Sequence, residues 1–409
     1  MITQTKTTWQ KVELGDIAFI NPDSVGKDFT FEQILYSDIS SVGTGIADAP
    51  IEISFSDAPS RARRLVKDGD TILSTVRPNR RSFLYLREPE ENRVVSTGFA
   101  VLRAGDKIDS RFLYYLVSNQ PFTDYLTLHA KGAAYPAVDE EIIAGANIVI
   151  PEIKTQKQIA DVLSAYDDLI ENNTKRSKIL EQIAQAIYKE WFVYFRFPGH
   201  EKVKMIDSKT EFGKIPEGWE VKRLEENFEI VLGGTPSRAN PDYWGGDIPW
   251  INSGEVNHLR IISPSELITK KGLDNSATKL MPKRTAVLAI TGATLGQVSL
   301  LEIECSANQS VVGVYDKDAL YSEYLYLFVS SQIEDIISKS GGSAQQHINK
   351  KIIEEYPILL PPEKDIENFN KTIRPPFDLL SDLLFANQNL RQARDLLLPK
   401  LVGGEIEVR

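Results

Sequence analysis

The sequence TQKQIADVLSAYDDLIENNTKRSKILEQIAQAIYKEWF, residues Thr155–Phe192, decides the fold. Its apolar residues recur at a seven-residue period, which is the spacing of the stripe along which two coiled-coil helices meet. The predicted stripe consists of Ile159, Val162, Tyr166, Leu169, Leu180, Ile183 and Ile187. A helix of roughly 38 residues, at about 1.5 Å per residue, is about 55 Å long and cannot be buried within one small domain. We therefore expect it to pair with a second long helix.

A second stretch with the same period lies at Glu363–Leu401. Its predicted stripe consists of Phe369, Ile373, Leu380, Leu383, Leu390, Leu397 and Leu401. Alignment of the two stretches places Asn173 and Asn387 at equivalent positions, where the amides either fix the register of the pair or face solvent. The consecutive prolines Pro375 and Pro376 remove amide donors, and they predict a break into a short first part and a longer second part.

The composition is that of a soluble globular protein. The chain has 409 residues, enough for two or three domains, of which 42 % are hydrophobic and 25 % charged. The single cysteine, Cys305, excludes a disulfide framework and a cysteine-based metal site, and favours a reducing cytosol. The opening residues lack the apolar core of a secretory signal, and no run approaches the ~20 apolar residues that span a bilayer. We expect a cytoplasmic protein with no membrane contact.

The charge is unevenly distributed. A net charge of −10 argues weakly against nucleic acid as a partner, because phosphate binding usually requires a basic surface. The segment Arg61–Arg81 nevertheless contains seven basic residues and only two acidic ones. The basic residues are Arg61, Arg63, Arg64, Lys67, Arg77, Arg80 and Arg81. This segment is a candidate for phosphate or base contacts, and the alternative is a solvated charged surface.

The two halves of the chain repeat each other at a spacing of about 210 residues. The matching pairs are Trp9…Leu14 with Trp219…Leu224, Leu65…Leu73 with Leu280…Leu288, Ser110–Gln120 with Ser322–Gln332, and Gly132–Pro151 with Gly342–Pro361. Both copies end in an apolar strand, a proline and one of the long helices. We interpret this pattern as a tandem duplication.

Each copy is predicted to be a globular unit of mixed α+β structure. Predicted strands are Thr71–Val76, Phe99–Arg103, Asn147–Pro151, Ala286–Thr291, Ser310–Tyr315 and Tyr356–Pro361, and predicted helices are Ser110–Leu126 and Ser322–Ile337. The expected boundaries are 1–152 and 216–361 for the globular units, 153–197 and 362–401 for the long helices, 198–215 for a polar linker and 402–409 for a tail.

No set of residues has the spacing of a catalytic or metal site. The four histidines, His129, His200, His258 and His347, lie far apart in the sequence. A phosphate-binding loop of the GxxxxGK type is absent, and adjacent carboxylates such as Asp167 and Asp168 do not share a helical face. We expect neither enzyme activity nor a bound cofactor or metal.

The remaining polar loops fit recognition chemistry. Arginine and lysine pair with guanine in the DNA major groove, and glutamine and asparagine pair with adenine. The candidates in the first unit are Arg61, Arg63, Arg64, Arg77, Arg80, Arg81, Lys131 and Tyr135. Those in the second unit are Thr291, Thr294, Gln297, Ser343, Gln345, Gln346, His347, Asn349 and Lys350. Solvated loops without a ligand are the alternative.

Taken in order, the motifs resemble the specificity subunit of type I restriction–modification enzymes over essentially the whole chain. The motifs are the Trp-x-x-x-x-Leu openings at Trp9 and Trp219, GGTPSRANPDYWGGDIPWINSGEV at Gly233–Val256, GSAQQHI at Gly342–Ile348, AIYKEWF at Ala186–Phe192 and LLLPKLVGGEI at Leu396–Ile406. The first copy of the glutamine turn, GAAYPAV at Gly132–Val138, departs from the pattern because it lacks the glutamine pair.

The resemblance implies an α+β protein with two similar target recognition domains, joined by two long antiparallel coiled-coil helices in a pseudo-twofold repeat. Each domain would read one half of a bipartite, asymmetric site in double-stranded DNA. The helices would set the spacer and dock two methyltransferase subunits, and restriction subunits would join through the complex. The resemblance assigns S-adenosylmethionine to the methyltransferase and ATP and Mg²⁺ to the restriction subunit, so this non-catalytic chain would hold no cofactor. The alternative is a coiled-coil scaffold with two protein-binding modules, which net acidity favours and the arginine segment opposes.

Overall fold

The structure, a computed structural model, describes residues 9–26, 28–340 and 347–408. The chain forms two units. Unit 1 comprises Met1–Ile170 and Asn389–Arg409, and unit 2 comprises Glu171–Gln388. Both long helices therefore contribute residues to each unit.

Unit 1 is built from short strands and four helices within its described residues. The strands are β1 (Gln10–Glu13), β2 (Ala18–Ile20), β3 (Gln33–Ser37), β4 (Ile51–Ser54), β5 (Ala62–Leu65), β6 (Thr71–Ser74), β7 (Phe83–Tyr85), β8 (Arg93–Ser96), β9 (Phe99–Ala104) and β10 (Asn147–Ile150). The helices are α1 (Ser110–Ser118), α2 (Gln120–His129), α3 (Glu140–Ala144) and α4 (Ile153–Tyr188), of which α4 continues into unit 2.

Two four-stranded sheets form the body of unit 1, in the orders β2-β9-β6-β7 and β4-β3-β8-β5, and β1 pairs with β10. All of these pairings are antiparallel except that of β3 with β8. The main core contains apolar residues of α1, the sheet, the start of α4 and the end of the second long helix. Burial of Phe112 on α1, Leu163 on α4 and Leu398 in this core attaches both long helices to the domain.

Unit 2 repeats this arrangement. Its strands are β11 (Met205–Asp207), β12 (Lys214–Pro216), β13 (Glu220–Arg223), β14 (Glu229–Leu232), β15 (Trp244–Ile251), β16 (Arg260–Ile261), β17 (Glu266–Ile268), β18 (Leu280–Met281), β19 (Ala286–Ala289), β20 (Val298–Leu301), β21 (Cys305–Ala307), β22 (Val311–Tyr315) and β23 (Pro357–Leu360). Its helices are α5 (Leu224–Asn227), α6 (Lys270–Asp274), α7 (Ser322–Ser338), α8 (Lys350–Glu354) and α9 (Glu363–Val402), of which α9 ends in unit 1.

The sheets of unit 2 have the orders β14-β22-β19-β20-β16 and β17-β15-β21-β18, and β13 pairs with β23. The pairing of β15 with β21 is parallel, as is that of β3 with β8 in unit 1. Strand β13 pairs with β23 as β1 pairs with β10. The common topology agrees with the duplication that the sequence predicts.

The predicted strands and helices are present; most of the strands are shorter than predicted, whereas β9 and α7 are each one residue longer. The predicted helix Ser110–Leu126 is two helices, because the chain is extended at Asn119 and Pro121 opens α2. The predicted linker 198–215 contains folded structure. Strands β11 and β12 form a hairpin there, and Ile215 is buried in the core of unit 2.

The apolar stripe predicted for the central helix α4 is confirmed at Ile159, which is buried, but along most of the helix the packed side lies one residue later. Val162, Leu169 and Ile183 are 38, 53 and 44 % exposed. The residues on the buried side follow the same heptad one position later, and many are small or polar. They are Ala160, Leu163, Asp167, Ile170, Thr174, Ser177, Glu181, Ala184 and Tyr188. Because many residues on the packed side of α4 are small or polar, a prediction based on apolar residues identifies the adjacent, partly exposed stripe instead.

The predicted break in the distal helix α9 is also wrong, since the helix is continuous from Glu363 to Val402. Each proline removes one backbone hydrogen bond, but the flanking residues Ile373, Phe377 and Leu380 are almost completely buried. Their burial stabilises the helix through tertiary packing despite the lost hydrogen bonds. The predicted stripe is otherwise confirmed for Phe369, Ile373, Leu380, Leu383 and Leu401, all of which are buried.

The two asparagines meet in unit 2. Asn173 donates from Nδ2 to Oδ1 of Asn387 over 3.0 Å, and Asn387 donates to Oγ1 of Thr174 over 3.1 Å. Asn387 is buried, which excludes the interpretation that its amide faces solvent. No helix among the described residues is long and apolar enough to cross a membrane.

Candidate nucleic-acid interface

Two loops of unit 1 meet at the predicted recognition residues. The loop that follows β6, Val76–Arg81, lies against Lys131–Ala137, and Val76 forms an isolated bridge with Ala137. The backbone N–H of Arg77 donates to the carbonyl of Pro136 over 2.7 Å. The structure therefore brings the loop that carries Arg77 and Arg80 against the loop that carries Lys131 and Tyr135, although the two loops are far apart in the sequence.

The backbone of the arginine loop is tightly constrained. Arg77 and Arg81 have φ angles of 47° and 55°, in the left-handed region that side-chain-bearing residues seldom occupy. Between them, Pro78–Arg80 forms a single 3-10 turn. Such conformations persist only where the surrounding contacts hold them, and they cluster at binding and active sites.

The three arginines of this loop have different surroundings. The guanidinium of Arg77 lies 5.2 Å from the centre of the Tyr135 ring and donates to the carbonyl of Ala134. Arg81 is directed inward and donates to the carbonyl of Ser118 over 2.9 Å. Arg80 is exposed, and no carboxylate of the described residues lies within ion-pair distance of it. Arg80 is therefore the arginine of this loop that is available to a ligand.

The arginines of β5 and its surroundings are largely neutralised within the protein. Arg61 forms an ion pair with Asp38 at 2.6 Å, and Arg64 one with Glu140 at 3.0 Å. The pKa of Arg61 is raised by its neighbours Tyr36 and Asp38. Arg63 lies over the ring of Phe55, 5.9 Å from its centre. These pairs reduce the positive surface that the sequence predicts.

Lys131 is exposed and pairs with Asp139 at 3.1 Å. The pKa of Asp139 is lowered, mainly because its carboxylate accepts a hydrogen bond from the backbone N–H of Ile142 and then because of Lys131. Tyr135 is 60 % exposed and presents the face of its ring beside Arg77. An exposed aromatic ring next to a cation can stack on a base as well as on the arginine.

The equivalent loops of unit 2 also lie together. The N–H of Ile348 donates to the carbonyl of Ile290 over 3.0 Å, as that of Val138 donates to Thr75 in unit 1. Thr291 precedes the 3-10 turn Gly292–Thr294, and both threonines are half-buried. Three candidates, Ser343, Gln345 and Gln346, lie outside the described residues.

Of the other candidates of unit 2, the side chains of Asn349 and Lys350 have local partners. Asn349 caps α8 by accepting a hydrogen bond from Ile352, as Asp139 caps α3. Lys350 pairs with Glu354 at 2.6 Å. The backbone N–H of Gln297 donates to Thr294. His347 is exposed.

One further loop in each unit lies beside the candidate residues but was not predicted from the sequence. The 3-10 turn Ser253–Asn257 packs against the turn Gly292–Thr294, and Asn257 and His258 are exposed at its end. In unit 1, Thr44 follows the corresponding turn and donates from Oγ1 to the carbonyl of Arg81 over 2.9 Å. The only available signal was the motif Gly233–Val256, which ends at this turn.

The described residues contain no cluster of three or more His, Cys, Asp or Glu side chains that could hold a metal ion. Burial raises the pKa of the Cys305 thiol, which disfavours the reactive thiolate. The site geometry suits binding by side-chain cations, amides and aromatic rings.

These features define a recognition protein with two similar α+β modules on paired long helices. Residues 6–182 and 216–375 match the type I restriction modification DNA specificity domain family. The chain belongs to this family, and within it to the specificity subunits.

Curated relatives match most of the chain. The type I restriction enzyme HindI specificity subunit of Haemophilus influenzae is 27 % identical, over 97 % of this chain and 99 % of its own. The MjaVIII specificity subunit of Methanocaldococcus jannaschii is 33 % identical, over 77 % of this chain and 75 % of its own. The crystal structure of the type I restriction–modification S subunit from M. genitalium covers 98 % of both chains, with a TM-score of 0.58 and 14 % identity, and so has a similar fold.

Proposed function

We propose that this chain is the non-catalytic DNA-reading subunit of a type I restriction–modification complex, in which each recognition domain reads one half of a bipartite, asymmetric site. The observation that carries this proposal is the duplicated loop pair: in both units a loop with a 3-10 turn follows the equivalent strand and is held to a second segment by an equivalent backbone hydrogen bond, but the side chains of the two units differ. A constant frame with divergent loops suits two modules that read different short sequences. We propose domain boundaries at 1–152 and 216–361.

In the first domain, Arg80 and the Arg77–Tyr135 pair form the proposed centre of the reading surface. Arg80 is free to pair with a guanine edge, and Tyr135 offers a ring face. Arg61, Arg63, Arg64, Arg81 and Lys131 already make contacts within the protein. We assign these five to support of the loops or to phosphate contact.

In the second domain, we propose that reading is carried by amide and hydroxyl groups. The candidates are Thr291, Thr294, Gln297, Ser343, Gln345, Gln346, His347, Asn349 and Lys350. Amide side chains discriminate adenine by donating and accepting at one base edge. The cap that Asn349 provides to α8 employs its Oδ1 atom and leaves the Nδ2 donor for a ligand.

The long helices are proposed to fix the spacer and to dock two methyltransferase subunits. In unit 1, α4 exposes Val162 and Leu169, which are one heptad apart. In unit 2, the same helix exposes Ile179 and Ile183, one turn apart. Apolar residues on the outer side of a helix that already has one packed side are typical of a protein-binding face. Repetition of this feature in both units supports one docking position for each.

The test is to map DNA methylation in the host with and without this gene and to copurify the full chain with its partners. The proposal predicts methylation at a two-part motif that disappears with the gene, together with copurification of an adenine methyltransferase. Copurification of other proteins, with an unchanged methylation pattern, would contradict it. That result would instead support a scaffold with two protein-binding modules, which the net charge of −10 and the internally paired arginines favour.

A further inference from the structure

Unit 2 contains a buried ion pair between its sheet and the central helix. Arg260, at the start of β16, donates from Nη2 to Oε2 of Glu181 on α4 over 2.6 Å. The two side chains are only 0 and 7 % exposed. Taking both charges out of water is costly, and good geometry with further hydrogen bonds is needed to offset that cost.

The surroundings supply that geometry. The guanidinium of Arg260 lies 4.3 Å from the ring centre of Tyr326 on α7 and 4.9 Å from that of Phe377 on α9. The Tyr326 hydroxyl donates to Oε1 of Glu181 over 2.8 Å. The sheet, α7 and both long helices therefore meet at one buried arginine.

A second carboxylate extends the network toward α9. Glu302, fully buried, lies within ion-pair distance of Arg260 at 3.8 Å and of Arg284 at 3.6 Å. Arg284 in turn pairs with Asp378 on α9 at 2.5 Å, and Glu323 on α7 pairs with Arg374 on α9. The charges of this network connect the domain to both helices.

The contacts at the equivalent place in unit 1 are different. The half-buried Arg394, which pairs there with Asp167, comes from the distal helix and not from the sheet. The ionic contacts between the domain and α4 are those of Arg87 and Arg111 with Asp168, in which all three side chains are at least about a third exposed. Exposed pairs restrain geometry weakly because water screens them. A buried ion pair between a domain and α4 is thus found in the described part of unit 2. In unit 1 the buried contact is a hydrogen bond, which the hydroxyl of Tyr115 on α1 donates to Asp167.

We propose that Arg260 and Glu181 are positioning residues that hold the second recognition domain at one angle on the central helix and thereby narrow the range of spacer lengths that the protein accepts. Apolar packing is non-directional and tolerates small rotations. A charge-assisted hydrogen bond between buried groups does not tolerate such rotations, because a rotation would leave a buried charge unpaired. This proposal rests on the proposed function, since it concerns how a reading domain is aligned.

The experiment uses conservative variants of the full chain, assembled with its methyltransferase. Glu181→Gln removes one charge at constant volume, and Tyr326→Phe removes only the hydroxyl that binds Glu181. Tyr324→Phe is the matched control, because its hydroxyl is equally buried on α7 but donates to the carbonyl of Leu359. Each complex methylates a DNA library in which the two half-sites are separated by every spacer within a few base pairs of the natural one.

The measured quantity is the ratio of methylation at spacers one base pair too long or too short to methylation at the natural spacer. The proposal predicts that Glu181→Gln raises this ratio about tenfold. A tenfold change corresponds to about 1.4 kcal/mol of free-energy difference between the natural and the altered spacer. Tyr326→Phe should show a smaller rise, and Tyr324→Phe none. Base preferences within both half-sites should not change. If Glu181→Gln does not unfold cooperatively like the wild type, the proposal is tested by the other two variants. It then requires that the relative methylation at altered spacers rises in Tyr326→Phe and not in Tyr324→Phe.

An unchanged spacer profile in a folded Glu181→Gln complex would overturn the proposal, as would an equal loss of methylation at all spacers. Neither result would affect the proposed function. Wild-type methylation that is independent of the spacer would instead contradict the proposed function itself.

Discussion

At the scale of residues, the basic segment Arg61–Arg81 has two kinds of side chain. Arg61 and Arg64 are paired with carboxylates of the same unit, whereas Arg80 is exposed on a constrained turn. The sequence predicts the whole segment as a contact surface because charge composition alone does not show which carboxylates fold beside which arginines. Asp38 and Glu140 lie far from their partners in sequence, so only the tertiary structure separates available from neutralised arginines.

The first prediction concerns Arg80 and Gln346. Arg80→Ala should weaken recognition of one half-site and Gln346→Ala recognition of the other, each by about 1–3 kcal/mol if the side chain makes a good base contact. The loss of recognition at each half-site is measured from the methylation of DNA libraries in which one half-site at a time is randomised. Lys11→Ala, which removes an exposed cation from β1, is the control and should change neither half-site. An equal loss on all sequences for Arg80→Ala would indicate a phosphate contact.

The second prediction concerns Tyr326. Burial first, and then Glu181, raise the pKa of its hydroxyl to about 12, above the value of about 10 in an unfolded chain, and the opposing effect of Arg260 is smaller than that of burial. Its contribution to stability is therefore complete below pH 10 and is lost as the pH rises toward 12. Between pH 9 and pH 11, the free energy of unfolding of the wild type should fall by roughly 1–2 kcal/mol more than that of Tyr326→Phe, as measured in urea. Equal losses in the two proteins would contradict this assignment.

At the scale of elements, the sequence predicts the existence and extent of both long helices but not the packed side of α4. The buried side of α4 contains Ser177 and Glu181, which hydrophobic periodicity cannot identify. The apolar residues that the period does identify, such as Leu169 and Ile183, are exposed. The distal helix follows the prediction better because its packed residues, among them Phe369 and Ile373, are apolar.

The third prediction tests the polar contact between the helices. Asn387→Ala should lower the free energy of unfolding by about 1–3 kcal/mol, because it removes a buried amide and the hydrogen bonds that this amide makes with the half-buried Asn173 and Thr174. The control is Asn172→Ala. Asn172 is adjacent to Asn173 but lies on the exposed side of α4, so this substitution should change the free energy of unfolding by no more than about 0.5 kcal/mol. Denaturant unfolding provides the measurement. Equal effects of the two substitutions would mean that the polar contact stabilises nothing.

At the scale of the whole molecule, the tandem repeat is the feature that the sequence shows best. Matching segments such as Ser110–Gln120 and Ser322–Gln332 become α1 and α7, which lie in the cores of the two units. The reading surfaces could be predicted only in part, because they join loops that are distant in sequence. Thr44 and the pair Asn257–His258 carry no compositional signal, and only the packing of their turns brings them to the candidate loops.

The central claim is that two reading domains are separated by a helical ruler, and a paired heptad deletion tests it most directly. Removal of residues 171–177 from α4 and 384–390 from α9 keeps the heptad phase of both helices and shortens each by ~10.5 Å. We predict that methylation moves to a spacer about three base pairs shorter, at ~3.4 Å per base pair, with both half-site sequences unchanged. An unchanged spacer in a folded, assembled complex would contradict the account.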